Sequence, residues 1–155
     1  MPQVYFADTS ALSKRYVMET GTGWLQSILN PATGCSIYIA RITTVELIAA
    51  ITRRERARTI LPPDAAAARA AFRAHISAEY QVVEVTEAVA DRAMLLAETH
   101  ALRGYDAVQL AAALTVNASY RTAGLPPITL LSADTELNAA ATAEGLAVDN
   151  PNSHP

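Results

Sequence analysis

Short apolar runs alternate with longer segments of helical periodicity from one end of the chain to the other. The runs are rich in β-branched and aromatic residues and end at polar or turn-forming residues, a pattern typical of buried strands. The first run, Val4 to Ala7, stops at Asp8. Strands are predicted at 4–7, 36–40, 81–85 and 128–131, with a short edge strand at 146–148.

Between the strands, apolar positions recur at the three- and four-residue spacing of amphipathic helices. After the second strand, for example, Val45, Ile48 and Ile51 form one stripe, and Thr43 or Thr44 is expected to cap the helix. Prolines and glycines separate several of the segments. Helices are predicted at 10–17, 22–29, from 43 or 44 to 58, and at 65–79, 86–100, 105–119 and 134–144.

Strands that alternate with helices pair in parallel, because each helix returns the chain to the edge where the previous strand began. The pattern therefore predicts an α/β fold, a three-layer α/β/α sandwich with a central, mainly parallel sheet of four to five strands. Residues 1–150 form a single domain in this interpretation. The polar, proline-flanked residues 151–155 are expected to be a loose, flexible tail.

Composition supports one globular domain, since the chain has 155 residues and 51% of them are hydrophobic. Cys35 is the only cysteine, and neither a signal peptide nor a long apolar membrane segment is evident. We therefore expect a soluble protein of the reducing cytoplasm. Twelve basic and fifteen acidic residues give a net charge of −3, which by itself argues against nucleic-acid binding.

Four acidic residues occupy positions beyond the carboxyl ends of the strands, where an open α/β sheet places its functional groups. Asp8 and Asp134 follow the first and fourth strands. Glu46 lies in the first predicted turn of the helix after the second strand, and Asp106 opens the helix predicted from residue 105. A single acid at a helix start is most often a cap. Four carboxylates at one edge repel each other, and a divalent cation is the usual remedy.

The predicted site contains oxygen donors without histidine or cysteine, which favours Mg²⁺ or Mn²⁺ over zinc and suits phosphoryl chemistry. We expect Asp8 and Asp106 to hold a first ion and Asp134 to complete its site directly or through water. Glu46 would orient the attacking water or bind a second ion. Two ions would change the net charge from −3 to +1 and make the cleft attractive to phosphate.

The acids lie in four segments of characteristic order: ADTSAL at 7–12, TTVEL at 43–47, LRGYDAVQLA at 102–111 and LSADTEL at 131–137. Together these segments resemble the successive acidic motifs of PIN domains, particularly the VapC toxins of bacterial type II toxin-antitoxin pairs. The resemblance runs from about Val4 to Pro151 and includes the closing segment GLAVDNP. The stretch around Asp106 is its most specific part.

The resemblance implies a metal-dependent endoribonuclease that hydrolyses phosphodiester bonds of RNA, with Mg²⁺ or Mn²⁺ as cofactor. Asp8, Glu46 and Asp106 match the acidic residues of the family directly, whereas the fourth acidic place, Asp134 here, varies within the family. The resemblance also implies a homodimer that is inhibited by a cognate antitoxin, whose C-terminal segment covers the site.

Two serines and several arginines have candidate roles around the acids. Ser10 and Ser132 lie two residues from Asp8 and Asp134, respectively, and either hydrogen-bond to the site or cap helices. The arginines at 53–58 either follow RNA phosphates or form a solvated helix end near the negative pole of the helix dipole. The candidates for RNA contact are Arg41, Arg53, Arg54 and Arg103.

Two other functions are compatible with parts of the sequence. A non-catalytic PIN-like module would bind a partner without cutting, but it has no reason to retain four mutually repelling carboxylates. A receiver-like signalling domain also has an acidic pocket, but it needs paired acids after the first strand and a lysine late in the sheet. Lys14, in the first predicted helix, is the only lysine, which argues against the receiver interpretation.

Overall fold

The first four strands of the protein are each followed by one or two helices. The computed structural model describes residues 2–155. Over these residues the elements are β1 (Val4–Ala7), α1 (Thr9–Tyr16), α2 (Thr22–Ile28), β2 (Ser36–Ala40), α3 (Arg41–Arg56), α4 (Pro62–Ala78), β3 (Tyr80–Val83), α5 (Glu87–His100), α6 (Gly104–Thr122), β4 (Thr129–Leu131), α7 (Thr135–Ala143) and β5 (Ala147–Asp149), with short 3-10 helices at Pro31–Thr33 and Pro151–Ser153.

The five strands form one sheet in the order β3-β2-β1-β4-β5. Every neighbouring pair is parallel, and the central strand β1 aligns Phe6 with Tyr38 of β2 and with Leu130 of β4. The chain therefore adds β2 and β3 on one side of β1, and then crosses back to add β4 and β5 on the other side. The carboxyl ends of β1 and β4 are neighbours, which brings the residues after these two strands together.

Alternate strand residues pack into two separate cores, one on each face of the sheet. Phe6 and Leu130 belong to the core that contains α5, α6 and α7, whereas Ala7 and Leu131 belong to the core that contains α1, α2, α3 and α4. All four of these side chains are fully buried. Because both faces of the sheet are covered by helices, the three-layer α/β/α prediction is confirmed.

The predicted N-cap of α3, Thr43 or Thr44, is wrong by three to four residues. The helix begins at Arg41, immediately after β2, and Ala40 occupies the cap position without a side-chain hydrogen bond. Thr43 is fully buried inside the helix, and the Thr44 hydroxyl donates to the carbonyl oxygen of Arg41 at 2.7 Å. Both threonines are thus interior helix residues. The other predicted boundaries agree with the structure to within three residues.

The C-terminal segment differs from the predicted loose tail, because it packs against the start of α2. Pro151 is buried and begins a 3-10 helix, and the ring of His154 stacks on Trp24 with 3.9 Å between the ring centres. His154 Nε2 also lies 2.8 Å from an oxygen of Asp149. Within residues 2–155, no helix is long and apolar enough to cross a bilayer.

Candidate active site

A cavity of about 260 Å³ lies beyond the carboxyl ends of β1 and β4. The N-terminal residues of α1 and α6 and one face of α3 form its other walls. All four acids predicted from the sequence line it. Its lining residues are Asp8, Thr9, Ser10, Ser13, Glu46, Ala50, Arg54, Asp106, Gln109 and Asp134.

Two of the acids are helix caps as well as cavity residues. An oxygen of Asp8 accepts the backbone N–H of Ala11 at 2.9 Å, and an oxygen of Asp134 accepts that of Leu137 at 3.0 Å. Asp106 lies in the first turn of α6. The positive poles of these helices therefore stabilise the negative charge of the side chains. Capping and a place in the cavity coexist, so the structural role does not exclude a chemical one.

Glu46 reaches the cavity from the second turn of α3 and not from the predicted first turn. The correction follows from the earlier start of the helix at Arg41. Glu46, Ala50 and Arg54 are spaced four residues apart, so they share one helix face, and all three line the cavity. The position of Glu46 in the site is thus set by the helix register and not by proximity to the strand end.

Both predicted serines lie directly against Asp8. The hydroxyl of Ser10 donates to Asp8 at 2.7 Å and accepts the N–H of Ala133 at 2.9 Å. The hydroxyl of Ser132 donates to the other Asp8 oxygen at 3.1 Å and accepts the N–H of Asp134 at 3.1 Å. The two hydroxyls therefore connect the segment after β1 to the segment after β4. They fix the orientation of the Asp8 carboxyl.

The electrostatic environment raises the pKa values of two of the acids. Asp8 is 3% exposed, and burial raises its pKa to about 7 although the N–H of Ala11 and the hydroxyls of Ser10 and Ser132 act in the opposite direction. For Asp106 the pKa is also raised, first by burial and then by the negative charges of its neighbours in the cavity. A bound cation would favour the ionised forms of both groups.

The donor chemistry of the cavity fits a hard divalent ion, since carboxylate and hydroxyl oxygens line it without histidine or cysteine. In the described part of the chain, no three acidic, histidine or cysteine side chains already stand close enough to coordinate one ion. The fit therefore concerns donor type and placement, and the carboxylates must turn towards an ion to bind it.

Three further polar residues surround Glu46 and were missed by the sequence analysis as site residues. The Thr9 hydroxyl donates to Glu46 Oε1 at 2.9 Å, and the Gln109 amide donates to the same oxygen at 3.2 Å and to the Thr43 hydroxyl at 2.7 Å. One signal was present in the sequence. Gln109 lies one helical turn after Asp106 and interrupts an otherwise apolar stripe.

Of the four arginines predicted to contact RNA, one lines the cavity and a second lies close enough to act electrostatically on Asp106. Arg54 lines the cavity and pairs with Glu19, which also pairs with the buried Lys14 at 3.1 Å. Arg103 directly precedes α6, and its charge counteracts the rise in the pKa of Asp106. Lys14 lies in this ion-pair network beside the cavity wall and does not reach the position that a receiver domain requires.

The other two arginines are outside the cavity lining. Arg41 pairs with Glu84 at the surface. Arg53 lies on the neighbouring face of α3, where it lines a separate groove with Arg56 and Arg73. The structure therefore divides the predicted basic cluster, and only Arg54 of that cluster lies beside the acids.

The sequence and the fold of this chain are similar to those of known proteins. The family model described as PIN domain matches residues 5–143. Ribonuclease VapC45 of Mycobacterium tuberculosis is 34% identical over 149 residues, which cover 96% of this chain and 95% of the relative. The crystal structure of PAE2754 from Pyrobaculum aerophilum has a TM-score of 0.64 at 20% identity, with coverage of 99% of this chain and 94% of that one. A toxin-antitoxin complex from Klebsiella pneumoniae has a TM-score of 0.60 at 16% identity, with coverage of 95% and 97%.

The family match covers the first four strands, all seven α-helices and all four acids of the cavity, and the alignment with the relative covers almost the whole of both chains. The two solved structures share the fold. The resemblance based on the four acidic segments is thereby confirmed. This chain belongs to the PIN domain family.

Proposed function

We propose that this protein is a metal-dependent endoribonuclease that hydrolyses phosphodiester bonds of RNA with Mg²⁺ or Mn²⁺. The observation that carries the proposal is the cavity lined by Asp8, Glu46, Asp106 and Asp134, in which burial and mutual charge raise the pKa values of Asp8 and Asp106. The relative at 34% identity is named a ribonuclease, which supports the same activity. A site built from repelling carboxylates is poised for a cation.

The four acids of the cavity each have a role in this reaction. A divalent ion supplies Lewis-acid chemistry at such a site, offsetting phosphate charge and acidifying water. Asp8, Asp106 and Asp134 would hold the ion, with the Ser10 hydroxyl fixing the Asp8 carboxyl. Glu46 would orient the attacking water and accept its proton.

Basic residues beside the acids would contact the RNA strand. Arg54 lies in the cavity wall and Arg103 lies at the start of α6 near Asp106, so both can face a phosphate bound at the site. Arg41 and Arg53 lie outside this wall and could contact only RNA that extends beyond the cavity. We therefore assign the phosphates next to the cut bond to Arg54 and Arg103.

The decisive test replaces Asp106 with asparagine. Cleavage of an RNA substrate with Mg²⁺ or Mn²⁺ should fall roughly 100-fold or more, because the ion loses a ligand, while the circular dichroism spectrum stays native. Asp91→Asn on α5 is the matched control, since it removes the same charge at an exposed position outside the cavity. Cleavage that is unchanged in Asp106→Asn would overturn the mechanism. A wild-type protein that binds RNA but never cuts it would favour the non-catalytic PIN-like module instead.

We further propose that the protein is the toxin of a toxin-antitoxin pair and forms a homodimer. A structural neighbour is a toxin-antitoxin complex, which supports the first part. Large apolar side chains remain exposed on α3 and α5, including Val45, Met94 and Leu95, and such surfaces are typical of protein contacts. The product of a short gene next to the coding sequence should copurify with this chain and inhibit RNA cleavage. Light scattering during size-exclusion chromatography should give twice the mass of one chain.

A further inference from the structure

We propose that Gln109 is a positioning residue that orients Glu46 for the cleavage reaction. The inference rests on the proposed nuclease function, because it concerns the residue assigned to the attacking water. Gln109 is 2% exposed, lies on α6 one turn after Asp106 and lines the cavity. Gln109 is uncharged and lies inside a helix, so it occupies neither a helix cap nor a strand end.

Within residues 2–155, the hydrogen bonds to the Glu46 side chain all go to one of its two oxygens. Thr9 and Gln109 both donate to Oε1, at 2.9 and 3.2 Å, and the hydrogen bonds described in residues 2–155 do not involve Oε2. Two donors from different elements fix the carboxylate plane, whereas one donor would leave it free to rotate. Gln109 thus leaves Oε2 available for a water or a substrate group in a defined orientation.

The amide of Gln109 also connects two helices, in addition to holding Glu46. Its second N–H donates to the Thr43 hydroxyl at 2.7 Å, so the side chain joins α6 to α3, while Thr9 joins α1 to the same carboxylate. The amide nitrogen must be the atom that faces Glu46, since a carboxylate only accepts hydrogen bonds. Three helices therefore converge on one oxygen of the residue assigned to the attacking water.

Fold stability alone does not account for a glutamine at this position, because the hydrogen bonds that its amide nitrogen donates leave the amide oxygen unpaired. Its Oε1 is buried and lacks a hydrogen-bond partner among the described residues, and a buried unpaired carbonyl destabilises a folded protein. The next four residues of α6, from Leu110 to Ala113, are all buried and apolar. An apolar side chain of similar size would fill the position without that penalty. Departures of this kind from local rules concentrate at functional sites.

The test is Gln109→Met, which keeps the size of the side chain and removes both N–H donors. We expect kcat for RNA cleavage with Mg²⁺ to fall roughly 10-fold, with KM unchanged and the thermal unfolding midpoint unchanged or higher. A structural residue would instead lower the midpoint and leave kcat intact in the folded fraction. An unchanged kcat, or a lower kcat that tracks a loss of folded protein, would overturn the proposal.

Asn117→Leu provides the matched control on the same helix. Asn117 is also a buried amide, but its oxygen accepts the backbone N–H of Ile128 at 3.1 Å, so its role is structural. This variant should lower the unfolding midpoint and leave kcat unchanged. The two amides are therefore expected to show opposite patterns of stability and activity.

A double-mutant cycle with Glu46→Ala separates positioning from other roles. If Gln109 acts through Glu46, then Gln109→Met should cause no further loss in single-turnover cleavage once Glu46 is alanine. A further 10-fold loss there would contradict the proposal. If cleavage by Glu46→Ala falls below detection, the proposal is judged on the kcat and the thermal unfolding midpoint of Gln109→Met alone. Absence of any cleavage by the wild-type protein would instead remove the nuclease function itself, which keeps the two failures distinct.

Discussion

Asp8 combines two demands that usually favour different residues. It caps α1 through the N–H of Ala11, and it is also a buried carboxyl whose pKa is raised to about 7. The cap needs only an oxygen atom, whereas the proposed metal site needs a negative charge. Asparagine satisfies the first demand and not the second, so the substitution Asp8→Asn separates them.

The raised pKa of Asp8 predicts how stability of the metal-free protein depends on pH. The folded state holds the proton up to about pH 7, whereas the unfolded chain releases it near the ordinary value of 3.8. The contribution of Asp8 to the free energy of unfolding is therefore fully present below pH 3.8 and is lost as pH rises through 7. The loss is at most about 4 kcal/mol.

Urea unfolding in EDTA between pH 4.5 and 8 measures this effect. The wild-type protein should lose stability across that range, and Asp8→Asn should show a flatter profile and higher stability at pH 8. Asp64→Asn, at an exposed position of α4, should leave the wild-type profile unchanged. Equal slopes for the wild-type protein and Asp8→Asn would show that Asp8 ionises normally in the folded state.

At the scale of single elements, the sequence predicts more about where a helix lies than about which side of it faces the site. The four acids could be found because three of them come at or just after a chain break that the apolar pattern reveals. Arg53 and Arg54 are adjacent in sequence, yet only Arg54 lines the cavity. The difference depends on which face of α3 is buried. The buried side chains are Thr43, Leu47 and Ile51, whereas Val45 of the predicted stripe is 68% exposed.

The sequence pattern also could not predict contacts between elements that are distant in the chain. The hydrogen bonds from Thr9 and Gln109 to Glu46 join residues that are 37 and 63 positions apart in the chain. The binary pattern predicts that a position is buried, but not which buried polar side chains meet across three helices. Gln109 appears in that pattern only as one polar residue within an apolar stripe. Its partners lie on α1 and α3, whose buried residues belong to the core on the other face of the sheet, so only the three-dimensional fold brings them to Gln109.

The contact between α2 and the C-terminal segment gives a prediction at this scale. Gly21 precedes α2 with a φ of 87°, and a Cβ added there would lie 2.2 Å from the carbonyl oxygen of Pro151. Gly21→Ala should therefore lower the free energy of unfolding by roughly 2 kcal/mol or more, through strain and through displacement of the C-terminal segment. Chemical denaturation checks this value.

Gly23→Ala is the matched control two residues further on. A Cβ at Gly23 would meet nothing within 4 Å, and the residue lies inside α2 with ordinary helical geometry. That variant should be neutral or more stable by up to about 1 kcal/mol, because alanine favours helices over glycine. Similar stabilities for the two variants would mean that the C-terminal segment is not held against α2.

For the molecule as a whole, the net charge of −3 gives a misleading view of its partners. Without the four acids of the cavity the chain has twelve basic and eleven acidic residues, a charge of +1. The excess of negative charge is thus concentrated in one cavity. RNA that approaches this cavity meets repulsion in the absence of metal and attraction once cations occupy it.

Because the negative charge is concentrated in the cavity, we predict that metal changes which of two proteins binds RNA more tightly, the wild-type protein or a variant that lacks two of the cavity acids. The variant Asp8→Asn/Asp106→Asn has twelve basic and thirteen acidic residues, a net charge of −1. In EDTA at pH 8, above the raised pKa of Asp8, it should bind a labelled RNA more tightly than the wild-type protein, because two repelling carboxylates are gone. In Mg²⁺ the wild-type protein should bind more tightly, because only it retains the ligands that recruit the ion.

Fluorescence anisotropy under both conditions tests this prediction, with cleavage in the wild-type sample followed on gels so that only intact RNA is analysed. The control Asp91→Asn/Glu98→Gln carries the same net charge of −1, but its substitutions lie at exposed positions of α5 outside the cavity. It should behave like the wild-type protein in Mg²⁺ and gain less affinity than the cavity variant in EDTA. If the two variants gain equally, total charge governs RNA binding and the cavity has no special part in it. If the cavity variant alone gains affinity, the carboxylates themselves exclude RNA until metal binds.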